Sequence, residues 1–413
     1  MDKTLVSLAV AGAFALPLSA AQAQSSVTIY GTLNVNFENF ESDGASPLGP
    51  IPGNSFVNGT GVNVSSRNQV TSNSSALGFK GQEDLGGGWK AWFQLENDVR
   101  PDGSTAGAFA GRNSAVGLSS PWGTVFLGNW DTPYKAMTTG FGMPFFSTTT
   151  ANYNAIIGSP GFGVRSGTTA GAGSLNGNAA FDRRQNNSVQ YWSPEFRGVR
   201  FRAVYAENDS KPAGGVTNPA VWGGSLTWEG MGIQLGVAYE RHEDLFGTRA
   251  IDGGSLAAPT ASGADSQDTG IKVQASYKIL GKYLVGALWE RLEYETSAAG
   301  ANLLTEYERD AWGVYAILPV GPGAVHFNYV TADDGECRLK SGAPCASGGT
   351  DVEMWAIGYY YNFSKRTQLY VQYVDMDNGE AQFYRLGAGP GEVGVGGPGA
   401  DPRAVSLGIR HSF

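Results

Sequence analysis

The sequence predicts an all-β fold, a sixteen-stranded antiparallel transmembrane β-barrel. Three observations predict it. Apolar and polar residues alternate along strand-length runs, short and long links alternate strictly between those runs, and charged residues make up only 16 % of the 413. Soluble domains average about 25 % charged residues, and no internal run nears the ~18 apolar residues of a helical span. Glycine is the commonest residue, at 60, and aromatics are 12 %, a composition that suits an exported or outer-membrane β protein.

The first residues stand apart. Lys3 precedes an apolar run, Leu5–Leu18, which ends in Ser19-Ala-Ala-Gln-Ala23. A charged start, an apolar centre and a small-x-small end mark a secretory signal over residues 1–23, leaving 24–413 as the barrel. The alternative, an anchoring helix, is disfavoured because the run is shorter than the ~20 residues of a span.

The mature chain opens on VTIYGTLNVNF, in which Val27, Ile29, Gly31, Leu33, Val35 and Phe37 share one face and Thr28, Tyr30, Thr32, Asn34, Asn36 and Glu38 the other. Successive strand side chains point to opposite faces, so one face is apolar and one polar. Period alone does not choose between a soluble sandwich and a barrel; the links do. Short links fall at 83–88, 121–123, 195–198, 229–232, 280–282, 319–323 and 364–366. Long ones, rich in Gly, Ser, Pro, Asn and Asp, fall near 41–65, 101–110, 130–182, 210–219, 245–267, 296–305, 334–350 and 378–402. Short turns at one rim, longer loops at the other and an even strand number characterise outer-membrane barrels. A sandwich or propeller does not require that alternation.

Later strands carry the same pattern. Ile233, Leu235 and Val237 alternate with Gln234, Ala238, Glu240 and His242, and Ile271, Val273 and Tyr277 with Lys272, Gln274 and Ser276. The polar faces make no dry core and suit a wet lumen. Tyr30, Trp89, Tyr191, Trp192, Tyr283, Tyr361, Phe363 and Phe413 lie near strand ends, as an interfacial girdle would. Over Leu284–Tyr294 and Tyr307–Leu318 the pattern assigns no faces.

Between Trp130 and Asp182 no strand or helix is expected. Loops that long are uncommon in compact domains and usually functional or disordered, and the aromatics Tyr134, Phe141, Phe145, Phe146, Tyr153 and Phe162 speak against a solvated linker. The expectation is that this segment packs inside the barrel and narrows it. Gly140, Gly142 and Gly158 allow it to bend.

Net charge is −9, which argues against nucleic acid as a partner. Cys337 and Cys345 form either one loop-stapling disulfide, as an oxidising compartment favours, or two free thiols; a metal site lacks further ligands nearby. Strand parity turns Lys80, Lys90, Gln94, Glu96, Arg200 and Arg202 toward the lumen, because a charge facing lipid near the midplane costs about 2–4 kcal/mol. Arg112 opens its strand, and Arg183 and Arg184 close the long loop. Each of these cations either lines a constriction or merely pairs with a neighbouring carboxylate.

SALGFKGQEDLGGGWKAWFQLE, RNSAVGLSSPWGTVFLGNWDTPY, NNSVQYWSPEF, YYYNFSKRTQLYVQY and the ending AVSLGIRHSF, together with the leader and SVTIYG, resemble the general diffusion porins of Gram-negative outer membranes. The resemblance covers essentially the mature chain. It implies a sixteen-stranded homotrimeric barrel in outer-membrane lipid and lipopolysaccharide, whose third long loop folds into the pore. It also implies a terminal Phe413 read by the barrel-assembly machinery, and Arg112 as a wall arginine opposite that loop. Two departures stand out, Ala76 in SALGF and Gln190 in NSVQY, where similar porins often carry arginine. The loop is also poor in charge. Asp131 and Asp182 are its acids, Lys135 and Arg165 its bases before Arg183. It is therefore expected to act by width, through Tyr153, Phe145 and Phe146, and by neutral hydrogen bonds.

The implied function is passive diffusion of small hydrophilic solutes and ions, with no cofactor. Parity, which puts Lys80, Arg112, Arg184, Arg200 and Arg202 inside, leans it to weak anion preference, against which Glu38, Glu96 and Glu240 on lumen faces act. The alternatives are a channel preferring small carboxylates or sugars, and a barrel serving as a surface adhesin or receptor. Enzyme readings fare poorly. His242 lacks the second histidine of a helical zinc motif, and His326 has no GxSxG motif to serve. Asp375–Gly379 lacks the distal Glu of a calcium loop.

Overall fold

The computed structural model describes residues 26–46, 61–104, 106–140, 148–160, 181–207, 219–245, 265–297, 304–339, 341–343, 345, 347–382, 384–387 and 398–413. The leader expected at 1–23 lies outside them, as do Phe141, Gly142, Phe145, Phe146, Phe162 and Arg165.

The strands, in chain order, are β1 Ser26–Asp43, β2 Val64–Ser72, β3 Ala76–Gly86, β4 Trp89–Asp98, β5 Ser114–Ser120, β6 Gly123–Asp131, β7 Arg184–Trp192, β8 Val199–Glu207 and β9 Ala220–Gly230. They continue as β10 Ile233–Glu243, β11 Ser266–Ile279, β12 Tyr283–Thr296, β13 Leu304–Val320, β14 Gly323–Ala332, β15 Glu336–Leu339, β16 Val352–Asn362, β17 Thr367–Asn378 and β18 Asp401–Ser412. Every pairing is antiparallel and the ring closes, β1 running beside β18 from Thr32↔Ser412 to Asp43↔Asp401. β2 and β3 both pair with β1, on either side of a break at 73–75 where Ser74 adopts φ 54°, and together make one stave. β14 and β15 both pair with β13 and make another. Eighteen segments thus form a barrel of sixteen staves, as expected.

Side chains from a long connection hold the β2/β3 break. Asp102 accepts from Ser72 N at 2.8 Å, and Arg100 donates to Ser72 O at 3.2 Å. Burial opposes ionisation of Asp102, but the hydrogen bonds from Ser72 and Ser104 win, and its carboxyl is held below its ordinary value.

Parity decides the two faces. On β11, Asp268, Lys272, Gln274 and Ser276 are buried and point inward, while Ile271, Val273 and Tyr277 are exposed on the outer wall. On β18, Ser406 is buried inside and Val405, Leu407 and Ile409 lie outside. An outer apolar band of this kind fits a lipid surface, since lipid tails replace the packing partner a soluble sheet would need. Inside, tyrosines lie flat across glycines of the neighbouring strand, Tyr30 on Gly78, Tyr315 on Gly286 and Tyr370 on Gly408, where any Cβ would collide with the ring. Those contacts account for part of the glycine content.

Four expectations need correction. The 130–182 segment is not without regular structure: α1 spans Pro133–Gly140, and a 3₁₀ turn spans Tyr153–Ala155, capped by Asn152. Pro133 opens the helix because its missing N–H and fixed φ suit the first turn. The 334–350 connection contains β15. Two expected girdle aromatics face inward instead. Tyr30 donates its hydroxyl to Glu96 Oε2 at 3.0 Å, and Trp192 packs on Phe126 with centroids 5.2 Å apart. Nearness to a strand end does not fix a side chain's face; parity does. Finally, Arg200 reaches Glu195 in the short 193–198 turn, so it sits at the short-turn rim.

Candidate functional site: the inner wall and the 130–182 segment

The described parts of the 130–182 segment contact inward-facing side chains at three places. At its root, Asp131 gathers Arg184 (3.3 Å), Lys135 (3.7 Å) and Asn113, whose Nδ2 donates to Oδ2 at 2.8 Å. Lys135 also reaches Asp182 at 3.6 Å. Two cations and two carboxylates therefore neutralise one another where the segment leaves β6 and returns to β7. Arg183, between Asp182 and Arg184 in the chain, is buried.

The second contact is a buried charge cluster that sequence reasoning missed. Glu290 on β12 accepts from Tyr134 OH and from Gly158 N, both at 2.7 Å, and lies 3.4 Å from both Lys272 Nζ and Arg309 Nη2. Arg309 Nη2 also donates to Ile156 O at 2.6 Å and to Ser159 O. Lys272 donates to Thr138 Oγ1, and its ammonium lies 4.0 Å over the Tyr134 ring. These three charged side chains are fully buried. Buried charges persist only when paired and hydrogen-bonded, and here most of the partners come from the segment itself. Gly158 is required as glycine. Its φ is +80°, and a Cβ would sit 2.8 Å from Asp182 N. Its carbonyl accepts from Phe181 N and Asp182 N.

The third contact lies on β1. Asn34 Nδ2 donates to Thr148 O at 2.6 Å, and Thr150 Oγ1 donates to Glu38 Oε2 at 2.6 Å, beside Asn36 Nδ2 at 2.9 Å. Tyr153 is buried and donates to Thr138 O at 2.8 Å. With Ile156 and Ile157 it packs on Tyr315, Val330, Met354 and Tyr370, apolar residues on the inner faces of β13–β17.

On the other inner arc the charged side chains keep part of their surface exposed among the described residues. Arg112 Nε pairs with Glu96 Oε1 at 2.7 Å, Glu96 takes the Tyr30 hydroxyl, and Lys80 Nζ stands 4.8 Å over the Tyr30 ring. Arg202 lies over Trp192. Arg112 is thus paired on the wall with its own neighbour. Lys80, Lys90, Arg202 and Arg410 point inward and have no ion-pair partner among the described residues. Cys337 and Cys345 are joined as a disulfide across Cα atoms 5.5 Å apart, in the connection that carries β15.

Glu290 and Arg309 were invisible because both fall in the two strands whose pattern assigned no faces. Lys272 was placed inward, but nothing in its own strand marks it as an anchor.

A closed barrel with an apolar belt outside and a charged, hydrogen-bonding wall inside defines a pore protein of the outer membrane. The chain belongs to the Gram-negative porin family, whose model matches residues 7–381. It is 29 % identical over 418 residues to outer membrane porin protein 32 of Delftia acidovorans, covering all of both chains. Over 416 residues, and again all of both chains, it is 25 % identical to major outer membrane protein P.IB of Neisseria lactamica. Among solved structures it resembles an anion-selective porin from Comamonas acidovorans (TM-score 0.67, 23 % identity, 94 % of this chain and 100 % of that one). It also resembles the trimer form of OmpT from Vibrio cholerae (TM-score 0.62, 16 % identity, 94 % and 99 %). Those two likenesses carry the fold alone.

Proposed function

We propose that this protein is a general diffusion porin that passes small hydrophilic solutes and ions passively, with weak preference for anions. The observation that carries the reading is the closed barrel's inner face, where Lys80, Lys90, Arg202 and Arg410 find no carboxylate partner among the described residues. A ring of one sign sets ion preference, and low-dielectric walls focus its potential. The relatives named above are porins, which are channels, and this reading needs no reaction centre.

In this proposal residues 130–182 narrow the passage, anchored through Tyr134, Gly158 and Thr150, with Tyr153 packing the segment rather than lining the water. Arg112, Lys80, Glu96, Arg202, Arg184, Asp131 and Lys135 line the remaining opening. Arg183 supports the segment from beneath, and Arg200 belongs to the short-turn mouth. Residues 1–23 direct export, the barrel assembles as a homotrimer in lipid and lipopolysaccharide, and the strand ending in Phe413 is the part that the assembly machinery reads.

Planar-bilayer recordings test the core of this. We expect stepwise conductance and, in a salt gradient, a reversal potential on the anion side. A reversal potential on the cation side would overturn the preference. Absence of any conductance step would overturn the channel and favour a surface-receptor barrel.

A further inference from the structure

Four inward-facing aromatic rings cluster on β4, β6 and β7. Phe126 is the hub, with ring centroids 5.4 Å from Trp92, 5.2 Å from Trp130 and 5.2 Å from Trp192. Trp130 also meets Trp92 and Trp192, each at 5.9 Å. Phe126 is 1 % exposed and the three indoles are half-buried, so part of each indole is left on the inner wall. The Arg202 guanidinium lies 4.4 Å over the Trp192 ring and has no ion-pair partner among the described residues. Gln190 fixes the arrangement. Its Oε1 accepts from Trp192 Nε1 at 3.3 Å, and its Nε2 donates to Asp131 O at 3.2 Å, tying the cluster to the root of the 130–182 segment.

A diffusion pore needs neither feature. Partly exposed indoles put apolar surface where hydrophilic solutes pass, and Arg202 carries a charge that no carboxylate among the described residues offsets. A single solute complements both if it joins a flat apolar ring to an anion. The ring geometry selects further. Neighbouring rings meet at 61° to 89°, so no two faces of the cluster are coplanar. A herringbone of this kind instead extends by accepting another aromatic ring edge to face, the arrangement that aromatic quadrupoles prefer. We propose that Trp92, Trp130, Trp192 and Arg202 form a binding station for small aromatic carboxylates, with the ring among the indoles and the carboxylate on Arg202. The station rests on the porin reading and gives that pore a substrate class.

The test is block of ion current through the intact reconstituted protein by benzoate, cyclohexanecarboxylate, acetate and glucose. Benzoate should half-saturate at about tenfold lower concentration than cyclohexanecarboxylate, the size of one good aromatic contact, and lower still against acetate. Trp192→Leu and Arg202→Gln should each raise benzoate's half-saturation severalfold, while Trp192→Phe should keep most of the preference. Equal half-saturation for the three carboxylates, or stronger block by glucose, overturns the station while the conductance itself upholds the porin. That comparison needs no variant, so a substitution that fails to fold leaves it decisive. A protein that conducts nothing removes both readings together.

Discussion

The two arcs of the inner wall use charge in opposite ways. On β11–β13, Lys272, Glu290 and Arg309 are fully buried, Glu290 lying between the two cations and the three being engaged by Tyr134, Thr138, Ile156, Gly158 and Ser159. On β3–β8, Lys80, Lys90 and Arg202 remain accessible, and the Arg112–Glu96 pair keeps 20 % and 15 % of its side-chain surface. The same residue types are buried and structural in one arc and partly exposed in the other. What separates them is contact with the described residues of the 130–182 segment, because removing water raises both the strength of a charge pair and the cost of leaving one partner alone.

The strongest way to break the contrast is Glu290→Ala. It strands two buried cations and removes the acceptor for Gly158 N and Tyr134 OH, so it should cost about 3–5 kcal/mol. The check is the temperature at which the folded form is lost on unheated gels; the surviving channels should show larger, noisier conductance. Unchanged conductance would mean that the segment does not bound the passage. Removing the disulfide by Cys337→Ala with Cys345→Ala should cost about 2 kcal/mol, since it closes only a short loop, and should leave conductance and selectivity unchanged because the pair lies in the outer connection. The smallest stability effect belongs to the partly exposed arc. Arg112→Ala should shift the reversal potential toward cations and Glu96→Gln toward anions, with the double variant near the parent and folding altered by about 1 kcal/mol or less. If Arg112→Ala instead abolishes folding, that arc is structural too.

Much of this was legible in the sequence because its rules are local. Alternation along β1, β8, β10, β11 and β18 fixed which side chains face inward, Arg202 and Lys272 among them, and the rhythm of short and long links fixed the staves. The girdle assignment of Trp192 and Tyr30 failed for a local reason as well, since position along a strand was read in place of parity.

The sequence by itself determined the barrel, because a two-residue period and turn chemistry act within a few residues of chain and leave strand faces little freedom. Only the tertiary structure decided which inward charges became anchors. Lys272, Glu290 and Arg309 lie on three strands and meet a segment more than a hundred residues earlier in the chain. No periodicity encodes that meeting, because it depends on barrel closure and on where a long connection comes to rest.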